Sequence, residues 1–261
     1  MFSTLFKSEP VVDTGTRDWI FDSYAWAIEN FDLTVFKNDS QLILPTNQFY
    51  PGSVSSVHQM AEFVFEHTLK YAGMDAWPIR LVEPHLLTQT PLPLLKVSDN
   101  LRGHSVDITV ENEQVQMIDI SYNPAQVNQP QDLVSSFAQV LATILVLQSK
   151  TLPPGGKEFI PQAIDLVACF MGFGVIFANT AYQFKGGCGS CNNRSANRQA
   201  SLPEQETVYA LAVFCVLKSI PVKTVQSHLK AHLKSSFKKA VKEVEKYVQK
   251  SEHPALLIAL S

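Results

Sequence analysis

The sequence predicts an α+β fold in a single domain spanning residues 1–261. Three observations carry this expectation. Short runs of β-formers bounded by turn residues occupy the first half of the chain. From Asp132 onward, long apolar-rich stretches of helical character separated by proline- and glycine-marked breaks replace them. Hydrophobic residues make up 46% of the 261 and charged residues 17%, which supplies one sizeable core and excludes a disordered chain.

The elements follow in order. Asp18 to Phe31 (DWIFDSYAWAIENF) sets Trp19, Tyr24, Trp26, Ala27 and Phe31 among polar residues and reads as a short amphipathic helix. Leu33 to Phe36 and Gln41 to Leu44 flank Lys37-Asn38-Asp39-Ser40, which predicts a hairpin or two short strands, closed by Pro45 and Pro51-Gly52. Ser56 to Tyr71 carries Val57, Met60, Ala61, Val64, Phe65, Thr68 and Leu69 at helical spacing. Ile79 to Val82 reads as one short strand inside a proline-punctuated stretch. Ser105 to Val110 and Gln114 to Ile120 alternate around Glu111-Asn112-Glu113 and give the clearest hairpin, with Val106, Ile108 and Val110 on one face and either Ile118 or Ile120 joining Val115 and Met117, depending on register. Four helices are then expected, at about Asp132–Gln148, Ile160–Phe184, Pro203–Ser219 and Val222–Gln249. Pro153-Pro154-Gly155-Gly156, a polar loop from Lys185 to Leu202, and Pro221 separate them.

Met1 to Thr16 lacks the long apolar run of a signal peptide, and four cysteines without one fit a reducing cytoplasm. Leu133 to Leu147 is shorter than the roughly 20 residues a bilayer requires. Ala163 to Phe184 is long enough but carries Asp165, Asn179 and Gln183, so it is expected to be a core helix rather than a transmembrane segment, with Asp165 favoured near its N-terminal end by the helix dipole. A net charge of −3 and a pI near 6.2 leave no general nucleic-acid footprint. Charge is uneven, however. Val222 to Lys250 holds eight lysines against Glu243 and Glu245, and the rest of the chain is net acidic. Val225, Leu229, Leu233, Phe237, Ala240, Val241, Val244 and Val248 form an apolar stripe along that basic segment. Docking onto the acidic body satisfies stripe and charge together, which favours it over a lipid or nucleic-acid target.

Asp18-Trp19-Ile20-Phe21-Asp22 with Trp26, LILPTNQFYPG at Leu42 to Gly52, IDLVACFMGFGVIFAN at Ile164 to Asn179, and YALAVF at Tyr209 to Phe214 occur in this order. In residues, order and spacing they resemble a family of uncharacterised bacterial proteins, over most of the chain. Some proteins similar in this way carry H-E-x-x-H on the helix before the IDL-like segment. In such a zincin signature two histidines bind zinc and the glutamate deprotonates the metal-bound water. The resemblance therefore implies a zincin-like scaffold. Its register places Ala138 and Ala142 at the histidine positions, Gln139 at the glutamate and Asp165 near a downstream acidic position. Alanine has no donor atom and glutamine no basic oxygen, so these residues argue against zincin catalysis.

Other constellations remain. Cys188-Gly-Ser-Cys191 lies in a pliable glycine-rich loop. It reads as plain loop cysteines, as a zinc half-site completed by a histidine or a second chain, or as a redox pair. His228-Leu-Lys-Ala-His232 has ligand spacing but sits among lysines, as on a solvated face. His58, Glu62, Glu66 and His67 share one helix and suit its surface; His85 and His104 are isolated. Arg194 and Arg198 suit either an anion or partner site or a solvated loop. Gly172-Phe-Gly174 inside a helix points to close helix packing. The sequence thus leans towards a non-catalytic interaction module with a protein partner. The alternative is a metal-binding or thiol-redox protein using Cys188 and Cys191.

Overall fold

The structure is a computed structural model and describes residues 9–52, 56–88, 96–97, 101–103, 108–109, 117–181, 197–250, 256 and 259. Helix α1 runs Thr14–Asn30. It begins earlier than its apolar pattern because Asp13 caps it, accepting from the Thr16 amide at 3.1 Å and the Thr16 hydroxyl at 2.6 Å. Leu33–Asn38 is a second helix, α2, and not the strand that its β-formers predict. Asp32, at φ 69°, accepts from the amides of Thr34 and Val35 and starts the turn. At the other end the Lys218 ammonium donates to the carbonyls of Phe36 and Lys37, at 2.7 and 2.6 Å. Caps at both ends and burial of Val35 and Phe36 override strand propensity. Gln41 to Leu44 pairs with no described strand; its Ile43 amide donates to the Gly172 carbonyl instead.

Helix α3 (Val57–Tyr71) follows, capped by the Ser56 hydroxyl. Strand β1 (Ile79–Leu81) lies where the sequence places it. Strands β2 (Lys96–Val97) and β3 (Ile108–Thr109) pair antiparallel, whereas β4 (Ile118–Ile120) pairs parallel with β1, Ile79 opposite Ile118 and Leu81 opposite Ile120. The described parts of the expected 105–120 hairpin therefore pair with earlier strands and not with each other. Ile118 and Ile120 both point into the core while Met117 is exposed, and Arg80 pairs with Asp119 at 2.6 Å on the outer face.

The remaining elements are helices: α4 (Pro130–Gln148), α5 (Ile160–Ala168), a π-turn (Cys169–Phe173), α6 (Gly174–Thr180), α7 (Glu204–Leu217), α8 (Val222–Gln226) and α9 (Leu233–Val248). The chain is thus mostly helical with a small parallel sheet, α+β at the coarse level. Two of the expected helices are interrupted. The 160–184 helix is broken at the π-turn by Gly172, whose φ of 104° suits glycine alone. A Cβ there would collide with the Gln41 carbonyl oxygen. The 222–249 helix breaks between Gln226 and Leu233, where Asn179 of α6 donates to the His228 carbonyl and accepts from the Lys230 amide.

Helix α7 is the axis of the core. Thr207 to Cys215 is buried on every side, as a helix apolar all round must be. Tyr24 of α1 donates its hydroxyl to the Ala210 carbonyl at 2.7 Å. Phe36 stacks on Phe170 of the π-turn at 4.7 Å and meets Phe214 of α7 edge-on. All eight residues of the basic segment's apolar stripe are buried, and α9 packs along α7, so the segment docks on its own body.

Candidate functional site

The site that the sequence singles out on α4 and α5 is assembled around Asp165. Its side chain is wholly buried, at 0% exposure. Oδ1 accepts from Gln139 Nε2 at 2.8 Å and from Arg198 Nη1 at 2.9 Å. Oδ2 accepts from the backbone amides of Ser201 and Leu202, at 2.8 and 2.9 Å. An ionised carboxylate offers about four lone-pair positions, and four donors meet this one. Helix α5 positions Asp165 one turn past Pro161, and α4 lies alongside to present Gln139.

Arg198 binds the network to the rest of the core. Its guanidinium, also at 0% exposure, lies 4.0 Å from the centre of the Phe177 ring on α6. Its backbone amide donates to Asp132 Oδ1 at 3.2 Å. Burial pushes the Asp132 carboxyl above the usual value, against the opposing pull of the Arg198 amide and the charges of Lys230 and Arg198. Gln139 also donates to the Gln199 carbonyl at 3.0 Å, so one amide group bridges α5 and the 197–202 segment. The arrangement holds a chain segment against the helices. Each of the carboxylate's lone-pair positions faces a donor of the protein, so none is turned toward a metal ion.

Ala138 and Ala142 lie on the same helix as Gln139, fully buried in the core. His58 pairs with Glu62 at 3.3 Å and stacks on Tyr122, while His67 Nδ1 meets the Phe63 carbonyl. His85 sits near Glu83 at the surface. The helix break separates His228 from His232, and His232 Nε2 meets Glu204 at 2.9 Å, so their four-residue spacing does not place them on one helix face. Among the described residues no three His, Cys, Asp or Glu side chains gather as a metal-holding group. Cys188, Cys191, Arg194 and His104 lie outside the described residues. Cys169 and Cys215 are buried free thiols whose pKa burial raises, which makes both poor thiolates. Gly174 packs its backbone against Leu211, and Gly172 against Gln41, the close approach expected of the Gly-Phe-Gly sequence.

Sequence reasoning left Arg198 open between an anion site and a solvated loop, and the structure assigns it to Asp165. A signal was present. Asp165 sits in an apolar run that needs a cation, and Arg194 and Arg198 are the arginines downstream of it. Arg102 carried no such signal. It is fully buried, donates to the Ala72 carbonyl at 2.8 Å and the Ser40 hydroxyl at 3.1 Å, and burial lowers its pKa. Comparison with family models, curated proteins and solved structures finds no match to this chain.

Proposed function

We propose that the chain is a non-catalytic interaction module on a zincin-like scaffold, in which a closed polar network stands where a metal site would be. The observation that carries this reading is the saturation of Asp165 by Gln139, Arg198 and two backbone amides. A general base needs a free lone pair, and a zinc ligand needs one facing the metal. The positions flanking Gln139 that the resemblance equates with zinc ligands are alanines packed in the core. Exposed Leu147, Leu152 and Phe159 lie around the α4–α5 connection and supply apolar surface for a partner.

The test uses full-length protein purified without a histidine tag. Its zinc and iron content is measured alongside hydrolysis of a casein substrate. The expected result is sub-stoichiometric metal and no hydrolysis above buffer. Equimolar zinc lost in an Asp165→Asn variant, or hydrolysis blocked by a chelator, would overturn the reading. Equimolar metal lost in a Cys188→Ser/Cys191→Ser variant would replace it with a metal centre on the cysteine loop.

A further inference from the structure

A cleft of about 400 Å³ lies between the N-terminal turns of α1 and α7 and the start of α5. Thr16, Trp19, Phe159, Gln162, Ser201 and Glu206 are among the residues that line it. It continues past Thr16 and Glu206 into a second hollow bordered by Asp13 and Glu204. Its size falls within the ~300–1,000 Å³ of small-molecule sites.

Four features define what it suits. Among the described residues no lysine, arginine or histidine lines either hollow, so no cationic side chain there is available to pair with a bound anion. Glu206 is partly buried and forms no hydrogen bond or ion pair among the described residues. Burial, and after it the charge of Asp13, pushes its carboxyl pKa upward. Asp13 and Glu204 are already engaged, with Thr16 and with His232. One wall is aromatic: the Trp19 and Phe159 rings lie 5.7 Å apart, and Phe159 is 39% exposed. Gln162, in the same lining, has a buried Oε1 with no hydrogen-bond partner among the described residues, an acceptor left over beside the cleft that an ammonium N–H would satisfy.

We propose that this cleft binds an organic cation, a primary ammonium on an alkyl chain, with Glu206 as its counter-ion and the Trp19–Phe159 wall against its methylenes. A divalent metal ion fits less well, because one unengaged carboxylate falls short of its oxygen-ligand number and an aromatic wall offers it no ligands. An alkylammonium uses both halves of the lining, charge at Glu206 and apolar contact at the rings. A free amine and the lysine side chain of a peptide share this chemistry.

The experiment is a titration of ¹⁵N-labelled full-length protein at pH 7.5, followed by NMR at the Trp19 indole and the Gly15 amide. The probes are hexylamine, hexanol and N-acetyl-lysine methylamide. Hexylamine is expected to give saturable shifts, with hexanol at least tenfold weaker. Glu206→Gln should weaken hexylamine at least tenfold, and Glu29→Gln, at an exposed position near the far end of α1, should leave it unchanged. Shifts with the lysine derivative that match hexylamine assign the site to a peptide lysine; shifts with hexylamine alone assign it to a free amine. Hexanol binding as tightly as hexylamine, non-saturating shifts, or an unaltered Glu206→Gln variant would overturn the proposal. The hexanol comparison is made on the parent protein, so it stands even if a variant folds poorly.

Discussion

Burying a carboxylate away from water costs several kcal/mol unless charge and hydrogen bonds replace the lost hydration. At Asp165 the replacement is complete, with one guanidinium, one amide side chain and two backbone amides. Removing the carboxylate strands all of these donors inside the core. Asp165→Ala is expected to cost about 3–5 kcal/mol, measured by urea denaturation. Arg198→Met should cost less, because the carboxylate keeps three of its donors; the reverse order would mean that the cation dominates. Asp132 behaves differently, since its raised pKa means that the folded state binds the proton more tightly than the unfolded chain. Its contribution to stability is present below the ordinary value of 3.8 and is lost as pH rises through the raised value. An Asp132→Asn variant keeps an acceptor for the Arg198 amide and does not titrate. Its stability relative to the parent should therefore rise between pH 3.5 and pH 7, read from denaturation midpoints at the two pH values.

At the scale of elements, the two interrupted helices mark where the chain turns to meet its neighbours. Gly172 opens the π-turn so that its carbonyl accepts from Ile43 and its bare Cα clears Gln41. Gly172→Ala adds a side chain at positive φ and forces Gln41 away. It should lower stability by more than about 1 kcal/mol, seen as a drop in Tm, and a neutral result would mean that the 40–43 segment moves aside freely. Helix α9 buries Leu233, Phe237, Ala240, Val241, Val244 and Val248. Burying such side chains contributes about 1.5–3 kcal/mol each for the larger ones, so their sum rivals the net stability of about 5–15 kcal/mol typical of a domain. Truncation after Ile220 should abolish cooperative thermal unfolding or solubility. A truncated chain that melts like the intact one would show that α9 contributes little to the core.

For the whole molecule, the relevant quantity is apolar helix surface. Pro130–Gln148 and Gly156–Thr180 are each long and apolar enough to cross a membrane, yet 61% and 72% of their apolar windows are buried inside the protein. Their polar residues are spoken for, Asp165 by Arg198 and Asn179 by Gln131, His228 and Lys230. A lipid-facing span would leave these groups with nothing to gain from lipid. Detergent-free fractionation is expected to recover the protein in the soluble fraction; recovery in the membrane pellet alone would contradict this.

Periodicity and punctuation in the sequence determined the helices of the second half, the 56–71 helix, the strand at Ile79 and the stripe of the basic segment, because burial of a repeating apolar face needs no knowledge of the partner that covers it. The caps at Asp13 and Asp32 came to light only in the folded chain, and the β-formers of Leu33 to Phe36 point to a strand there. Long-range choices required the folded chain. Whether Ile118 to Ile120 pairs with the run just before it or with Ile79 to Leu81 depends on energies of partners distant in sequence, which an alternating pattern does not rank. The break at residues 227–232 depends on an asparagine some fifty positions away. The same holds at the site: Asp165 announces by its apolar surroundings that it needs donors, whereas Gln139, Arg198, Ser201 and Leu202 become those donors only when packing brings α4 and the 197–202 segment to α5.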